Sequence, residues 1–116
     1  MATNELTVTT RNIGGRHLIA AAGEIDVYTS PRLREAISAA IDAGYVHLVF
    51  DLESVDFLDS TGLGVFVGAL KRVRGLEGTE RGSVHIVCSH DRLLNTFRLT
   101  GLDKVFRIVP SFDTIA

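Results

Sequence analysis

The sequence predicts one α/β domain on a mixed β-sheet, in which an N-terminal hairpin is followed by alternating helices and parallel strands. Three observations lead there. Two short strand-like segments, the first of them alternating, bracket a glycine-rich turn near the N-terminus. Three compact apolar runs, 46–52, 84–88 and 105–109, are separated by stretches with helical spacing. A chain of 116 residues has room for one core of this kind and not for two, so residues 1–116 are expected to form a single domain.

Each element can be justified in order. Leu6 to Thr10 alternates as a strand does, with Leu6 and Val8 on one face, and Asn12-Ile13-Gly14-Gly15 reads as a hairpin turn. Leu18 to Ala22 is the returning strand, ending at Gly23. Ser30 is a suitable N-cap and Pro31 suits the first helical position, where its missing N–H costs nothing. Leu33, Ala36, Ile37, Ala40 and Ile41 then follow at helical spacing, and Gly44 is placed to end that helix. Val46 to Leu52 reads as a buried central strand and Glu53 to Asp59 as a loop. Leu63, Phe66, Val67, Leu70 and Val73 form a second helical stripe, and Gly75 to Gly82 reads as a polar loop. Val84 to Cys88 is a strand, Leu93, Leu94 and Phe97 mark a third helix capped by Gly101, and Val105 to Val109 is the last strand. A short terminal helix is expected from Ser111-Phe112.

Composition narrows the function classes. With 12 basic and 14 acidic groups the formal net charge is −2, so no basic excess marks a nucleic-acid or anionic-membrane surface. The apolar runs are far short of a membrane span. Met1-Ala2-Thr3-Asn4-Glu5 lacks the segments of a signal peptide, and the lone Cys88 has no internal disulfide partner, so a cytoplasmic protein is expected.

The chemically informative stretch is Asp51 to Gly64, D-L-E-S-V-D-F-L-D-S-T-G-L-G. It follows a strand and enters a helix, the position at which α/β sheets tend to place functional groups. Ser60 falls near the N-cap of the second helix, where its ordinary role would be to accept a backbone N–H. Gly62, Gly64 and Gly68 are costly inside a helix, at roughly 1 kcal/mol each. With Leu63, Phe66 and Leu70 as the core stripe, Thr61, Gly64, Val65, Gly68 and Arg72 are expected on the outward side, as a smooth face for another protein. The competing reading has Gly68 packed tightly against a neighbouring element of the same fold. Glu24, Asp26, Asp51, Asp56 and Asp59 cluster around strand exits, which suits loop capping and an acidic rim facing a basic partner better than a metal site.

At these residues the chain resembles a known family. Gly23-Glu24-Ile25-Asp26, Phe57-Leu58-Asp59-Ser60-Thr61-Gly62-Leu63-Gly64 and Leu94-Asn95-Thr96-Phe97-Arg98-Leu99-Thr100-Gly101-Leu102 are similar, in the same order, to signatures of the anti-sigma factor antagonists with a STAS domain. These bacterial proteins regulate sporulation, the general stress response and actinomycete development. The resemblance implies a mixed sheet with helices on one main side, and phosphorylation at Ser60. It implies that the unphosphorylated form binds an anti-sigma factor that is also a GHKL-type serine kinase using ATP, thereby freeing the sigma factor. A serine phosphatase would restore the active form, and Asp26 corresponds to an acidic residue near the phosphorylation site.

The partner surface expected on this basis comprises Asp26, Asp59, Ser60, Thr61, Gly62, Gly64, Val65, Gly68 and Arg72. No enzyme activity, cofactor, metal, nucleic acid or membrane contact is expected. The D-S-T-G context is not the nucleophile elbow of hydrolases. Gly62-Leu63-Gly64 has no Walker lysine, and His85, Cys88 and His90 lack zinc-ligand spacing. The alternative function is a STAS scaffold, or a regulator of a kinase that controls no sigma factor. The Gly75–Gly82 loop is longer than the usual turn and is expected to influence partner choice.

Overall fold

The computed structural model describes residues 5–75 and 82–115. The expected elements within residues 1–4 and 76–81, most of the Gly75–Gly82 loop among them, lie outside the described residues. Five strands lie side by side in sequence order: β1 (Leu6–Ile13), β2 (Arg16–Ile25), β3 (His47–Leu58), β4 (Ser83–Val87) and β5 (Arg107–Val109). β1 and β2 are antiparallel, and every later neighbour pair is parallel. The crossovers are α1 (Ser30–Asp42), α2 (Ser60–Arg74) and α3 (Asp91–Leu99). Single-turn 3-10 helices follow at Leu102–Lys104 and Phe112–Thr114.

The hairpin closes through Gly14 and Gly15 alone, both in the left-handed region at φ 55° and 51°. That is the two-residue turn whose twist matches paired strands, and it needs residues that tolerate positive φ twice in succession. α1 ends in a Schellman arrangement, with Tyr45 N–H bonded to Ala40 O at 3.0 Å and Gly44 N–H to Ile41 O at 2.9 Å.

The three helices share one main core with one face of the sheet. Leu33 and Ile37 of α1, Phe66 and Leu70 of α2, and Leu93 and Phe97 of α3 pack with Ile19, Phe50 and Ile86. Phe50 and Phe66 meet at a ring separation of 4.9 Å. Burying each such side chain contributes roughly 1.5–3 kcal/mol. On the opposite face Leu18, Val49, Val87 and Val109 form a smaller cluster, covered by Phe112 and Ile115 beyond β5.

Several boundaries differ from expectation: β1 runs on to Ile13, through two residues expected in the turn, and β2 spans Arg16–Ile25, past the expected end at Gly23. β3 runs to Leu58, so Glu53–Leu58 of the expected Glu53–Asp59 loop is a strand extension. Its polar residues are exposed while Leu52, Val55 and Leu58 reach the core. Register shifts against β2 between Ala20 and Ala22, and again between Gly23 and Glu24, break the regular alternation that would have marked the strand. β5 begins at Arg107, because Val105 and Phe106 are used to close the preceding 3-10 turn onto Leu102. Ser30 is the first helical residue and not the cap: its buried Oγ has no hydrogen-bond partner among the described residues, and Thr29 holds the cap position.

His85 and His17 give the fold a pH dependence. Burial, then the Arg16, Arg107 and His47 charges, hold the His85 pKa below its ordinary value, and burial does the same to His17. Unfolded, both imidazoles take up protons near pH 6.5, where the folded chain resists doing so. Stability therefore falls as pH drops through that value and levels off once the folded histidines also protonate. Urea midpoints should be lower at about pH 5.5 than at about pH 7.5, with a smaller drop in His85→Gln. An unchanged drop in that variant would assign the effect elsewhere.

Candidate functional site

The site forms where β2 and β3 end side by side. Ile25 pairs with Leu58, and one residue further Asp59 N–H bonds Ile25 O at 3.3 Å. Asp59 is extended (φ −106°, ψ −173°), and its Oδ1 accepts the Gly62 N–H at 3.1 Å. Asp59 is therefore the N-cap of α2, and Ser60, expected near that position, is the first helical residue. The correction has a chemical consequence. A capping serine has its oxygen committed to a backbone donor, whereas the exposed Ser60 hydroxyl makes no hydrogen bond with any described residue. Its hydroxyl stands free at the positive end of a 15-residue helix.

The loop on the β2 side is built by Asp26. Only 7% exposed, its Oδ1 accepts the Tyr28 N–H at 2.9 Å and the Thr29 N–H at 3.0 Å. Thr29 Oγ1 accepts the Asp26 N–H at 3.0 Å and donates to Glu24 O at 2.8 Å. The Asp26 carboxylate is thus turned into its own loop, with only a small part left to the surface. What it presents instead is Val27 and Tyr28, the latter 80% exposed. Phe57, level with Glu24 across β2 and β3, is 48% exposed. Val27 and Tyr28 went unnoticed in the sequence and Phe57 was named only within its motif, since nothing there separates a water-facing aromatic from a buried one. The signal was their position, immediately after Gly23-Glu24-Ile25-Asp26 and inside Asp51–Gly64.

The α2 glycines divide into two kinds. A Cβ on Gly62 would come within 2.4 Å of Leu58 Cδ1 and 2.7 Å of Ile25 Cγ2, so this glycine lets the helix start sit directly on the two strand ends. A Cβ on Gly64 or Gly68 would meet nothing within 4 Å. Tight packing within the fold therefore does not explain Gly68, and the smooth outward face is the arrangement observed. With Arg34, Ser38 and Lys71 these glycines border a groove between α1 and α2, across which Arg72 Nη1 donates to Ser38 Oγ at 3.0 Å. Thr61 is half-buried, and Gly62 lies in the interior. Val65 corrects the expected outward set: at 5% exposure it packs into the core. Broadening of the apolar stripe where α2 meets α1 accounts for this.

The acidic residues are only partly brought together. Asp26 and Asp59 flank the Ile25–Leu58 pair, whereas Asp51 pairs with Val87 in mid-sheet and its Oδ1 accepts the Glu53 N–H at 3.1 Å. Among the described residues no group of three or more His, Cys, Asp or Glu side chains could hold a metal ion. Cys88 lies in the core, where burial raises its thiol pKa, while His85 belongs to the strand row on the opposite face. Glu53 accepts hydrogen bonds from the Ser89 N–H and, at 2.6 Å, from Ser89 Oγ, which ties the start of α3 to the β3 extension.

A five-stranded mixed sheet with its helices on one face, and an exposed serine one residue past an aspartate cap, define a STAS domain. The STAS-domain family model matches residues 7–115, and the chain belongs to that family and, within it, to the anti-sigma factor antagonists. It is 40% identical over 90 residues to the anti-sigma-B factor antagonist of Listeria monocytogenes, covering 78% of this chain and 75% of the relative. It is 41% identical over 87 residues to that of Bacillus subtilis, covering 75% of each. The crystal structure of an anti-sigma factor antagonist from Mycobacterium paratuberculosis superposes with a TM-score of 0.86 at 30% identity, covering 97% of this chain and 92% of that one. Among the described residues no helix is long and apolar enough to cross a membrane.

Proposed function

We propose that the unphosphorylated chain binds an anti-sigma factor that is also a GHKL-type serine kinase, and so frees a sigma factor. In this reading phosphorylation of Ser60 ends the complex, and a serine phosphatase restores it. The observation that carries the reading is the uncommitted, exposed Ser60 hydroxyl where β2 and β3 end, with the exposed Val27, Tyr28 and Phe57 close in sequence to the same two strand ends. Aromatic residues are enriched in the cores of protein interfaces, a role that the exposed Tyr28 and Phe57 suit. Asp59, Thr61, Gly64, Gly68 and Arg72 extend the contact along α2. Asp26, Gly62 and Val65 serve it from within, by fixing the loop and the helix start.

The test is phosphate transfer from ATP by the cognate anti-sigma kinase, followed by mass mapping. Wild type should take one phosphate at Ser60. Ser60→Ala should take none, and should remain bound to the kinase after ATP is added. Phosphate found on Thr61 or elsewhere in that variant would refute the site assignment.

A further inference from the structure

The groove between α1 and α2 carries positive charge that the fold does not neutralise. About 310 Å³ in volume, it is lined by Arg34, Ser38, Gly64, Gly68, Lys71 and Arg72, among others, with no aspartate or glutamate in the lining. Arg34, Lys71 and Arg72 are all exposed. Arg34 and Lys71 make no hydrogen bond or ion pair with any described residue, and Arg72 bonds the neutral Ser38 hydroxyl.

Helical spacing offers no carboxylate either. The positions three and four away from Arg34 are Ser30, Pro31, Ile37 and Ser38, and those from Lys71 are Val67, Gly68, Arg74 and Gly75. Asp42, a turn beyond Ser38 on α1, forms no ion pair with a described residue. The helix dipole explains part of the cluster, since Lys71 and Arg72 lie in the last turn of α2, where cations are favoured. It does not explain Arg34, which stands in the second turn of α1, toward the positive end of that helix.

The groove also continues the face that begins at Ser60. At about 100° per residue, Gly64, Gly68 and Lys71 all fall within about 80° of Ser60 around α2. With a rise of 1.5 Å per residue, Ser60 and Lys71 are about 16 Å apart along the axis. Between them a Cβ at Gly64 or Gly68 would meet nothing within 4 Å, which leaves room for another chain to come close.

We propose that this groove receives an acidic segment of the anti-sigma kinase, whose carboxylates pair with Arg34, Lys71 and Arg72 while its main chain lies against Gly64 and Gly68. The inference rests on the kinase partnership proposed above. Three cations with no carboxylate among them are the complement of a run of acidic residues. A partner whose active site reaches Ser60 already lies along the same face of α2. At about 16 Å the contact is beyond the Debye length of about 8 Å at physiological ionic strength. It therefore holds the kinase in register without altering the field at the Ser60 hydroxyl.

The experiment is calorimetric titration of the full chain and its variants with the cognate anti-sigma kinase, without ATP and at two salt concentrations. Arg34→Gln and Lys71→Gln should each weaken binding about threefold, and together about tenfold, with melting temperatures unchanged. The double variant should also lose part of the salt dependence. Lys104→Gln removes the same charge from an exposed residue elsewhere and should leave the affinity unchanged. Carbodiimide treatment of the wild-type complex joins amines to carboxylates that touch. It should link Lys71, and not Lys104, to an aspartate or glutamate of the kinase. Wild-type affinity in the double variant would overturn the groove as a docking site and leave the kinase partnership standing, as would equal weakening by Lys104→Gln or the lack of a Lys71 link. No binding of the kinase by the wild-type chain would overturn the partnership, and this inference with it. Phosphatidylglycerol vesicles that bind the wild type but not the double variant, with kinase affinity the same in both, would make the groove a membrane contact instead.

Discussion

Ser60→Asp should weaken binding to the anti-sigma kinase about a hundredfold while the domain stays folded. The two halves of that expectation come from the same geometry. Ser60 is the first helical residue of α2, where backbone N–H groups lack intrahelical acceptors and the helix dipole favours an anion. A carboxylate there should be neutral or stabilising by up to about 1 kcal/mol, so the thermal midpoint should hold or rise slightly. The complex meets the opposite situation. The new charge adds to Asp59 and the exposed Asp56 on one strand end, and it must be stripped of water when a partner closes over it. A loss of about 3 kcal/mol corresponds to roughly a hundredfold in affinity. Phosphoserine, with nearly twice the charge, should be worse. Calorimetry of binding, with thermal melts of the same samples, reads both halves. Tight binding by Ser60→Asp would remove electrostatic repulsion as the switch. A large drop in melting temperature would mean that the modification acts through stability instead.

How much of this was legible in the sequence varied with how local the signal was. Glycine turns and helix ends came through: Gly14-Gly15, Gly44 and Gly101 all sit at positive φ where the chain reverses or a helix ends. Element order came through because each helix carries its own apolar stripe. What was lost depended on contacts between distant residues. The β3 extension hid behind register shifts that only its pairing with β2 defines. Val65 was assigned outward because a stripe read from α2 alone takes no account of α1 lying beside it. The cap moved from Ser60 to Asp59 because adjacent serine and aspartate are both good caps, and the choice is set by where Ile25 O holds the Asp59 N–H. The three glycines of α2 look alike in sequence and are told apart only by what stands opposite each one.

Asp26→Ala should be the most damaging single change at the site, with the loss appearing in stability and in partner binding together. The Asp26 Oδ1 accepts two backbone N–H groups, those of Tyr28 and Thr29, in a loop that also bonds Ser30 N–H to Asp26 O at 2.9 Å on the way into α1. Truncation leaves those donors, one of them on a buried residue, without this acceptor. Hydrogen bonds to an ionised group are worth about 1.5–3 kcal/mol each, and the two share one oxygen, so a loss of about 3 kcal/mol is expected for the loop. Asp26→Asn separates the possible causes. Its amide oxygen can take both bonds but carries no charge, so most of the stability should return. If Asp26 acts by holding Val27 and Tyr28 in place, binding should return with it. Urea denaturation and calorimetry on both variants read the two quantities. Asn restoring stability but not binding would mean that the partner senses the carboxylate itself, and the small part of Asp26 that reaches solvent would then be the contact that matters.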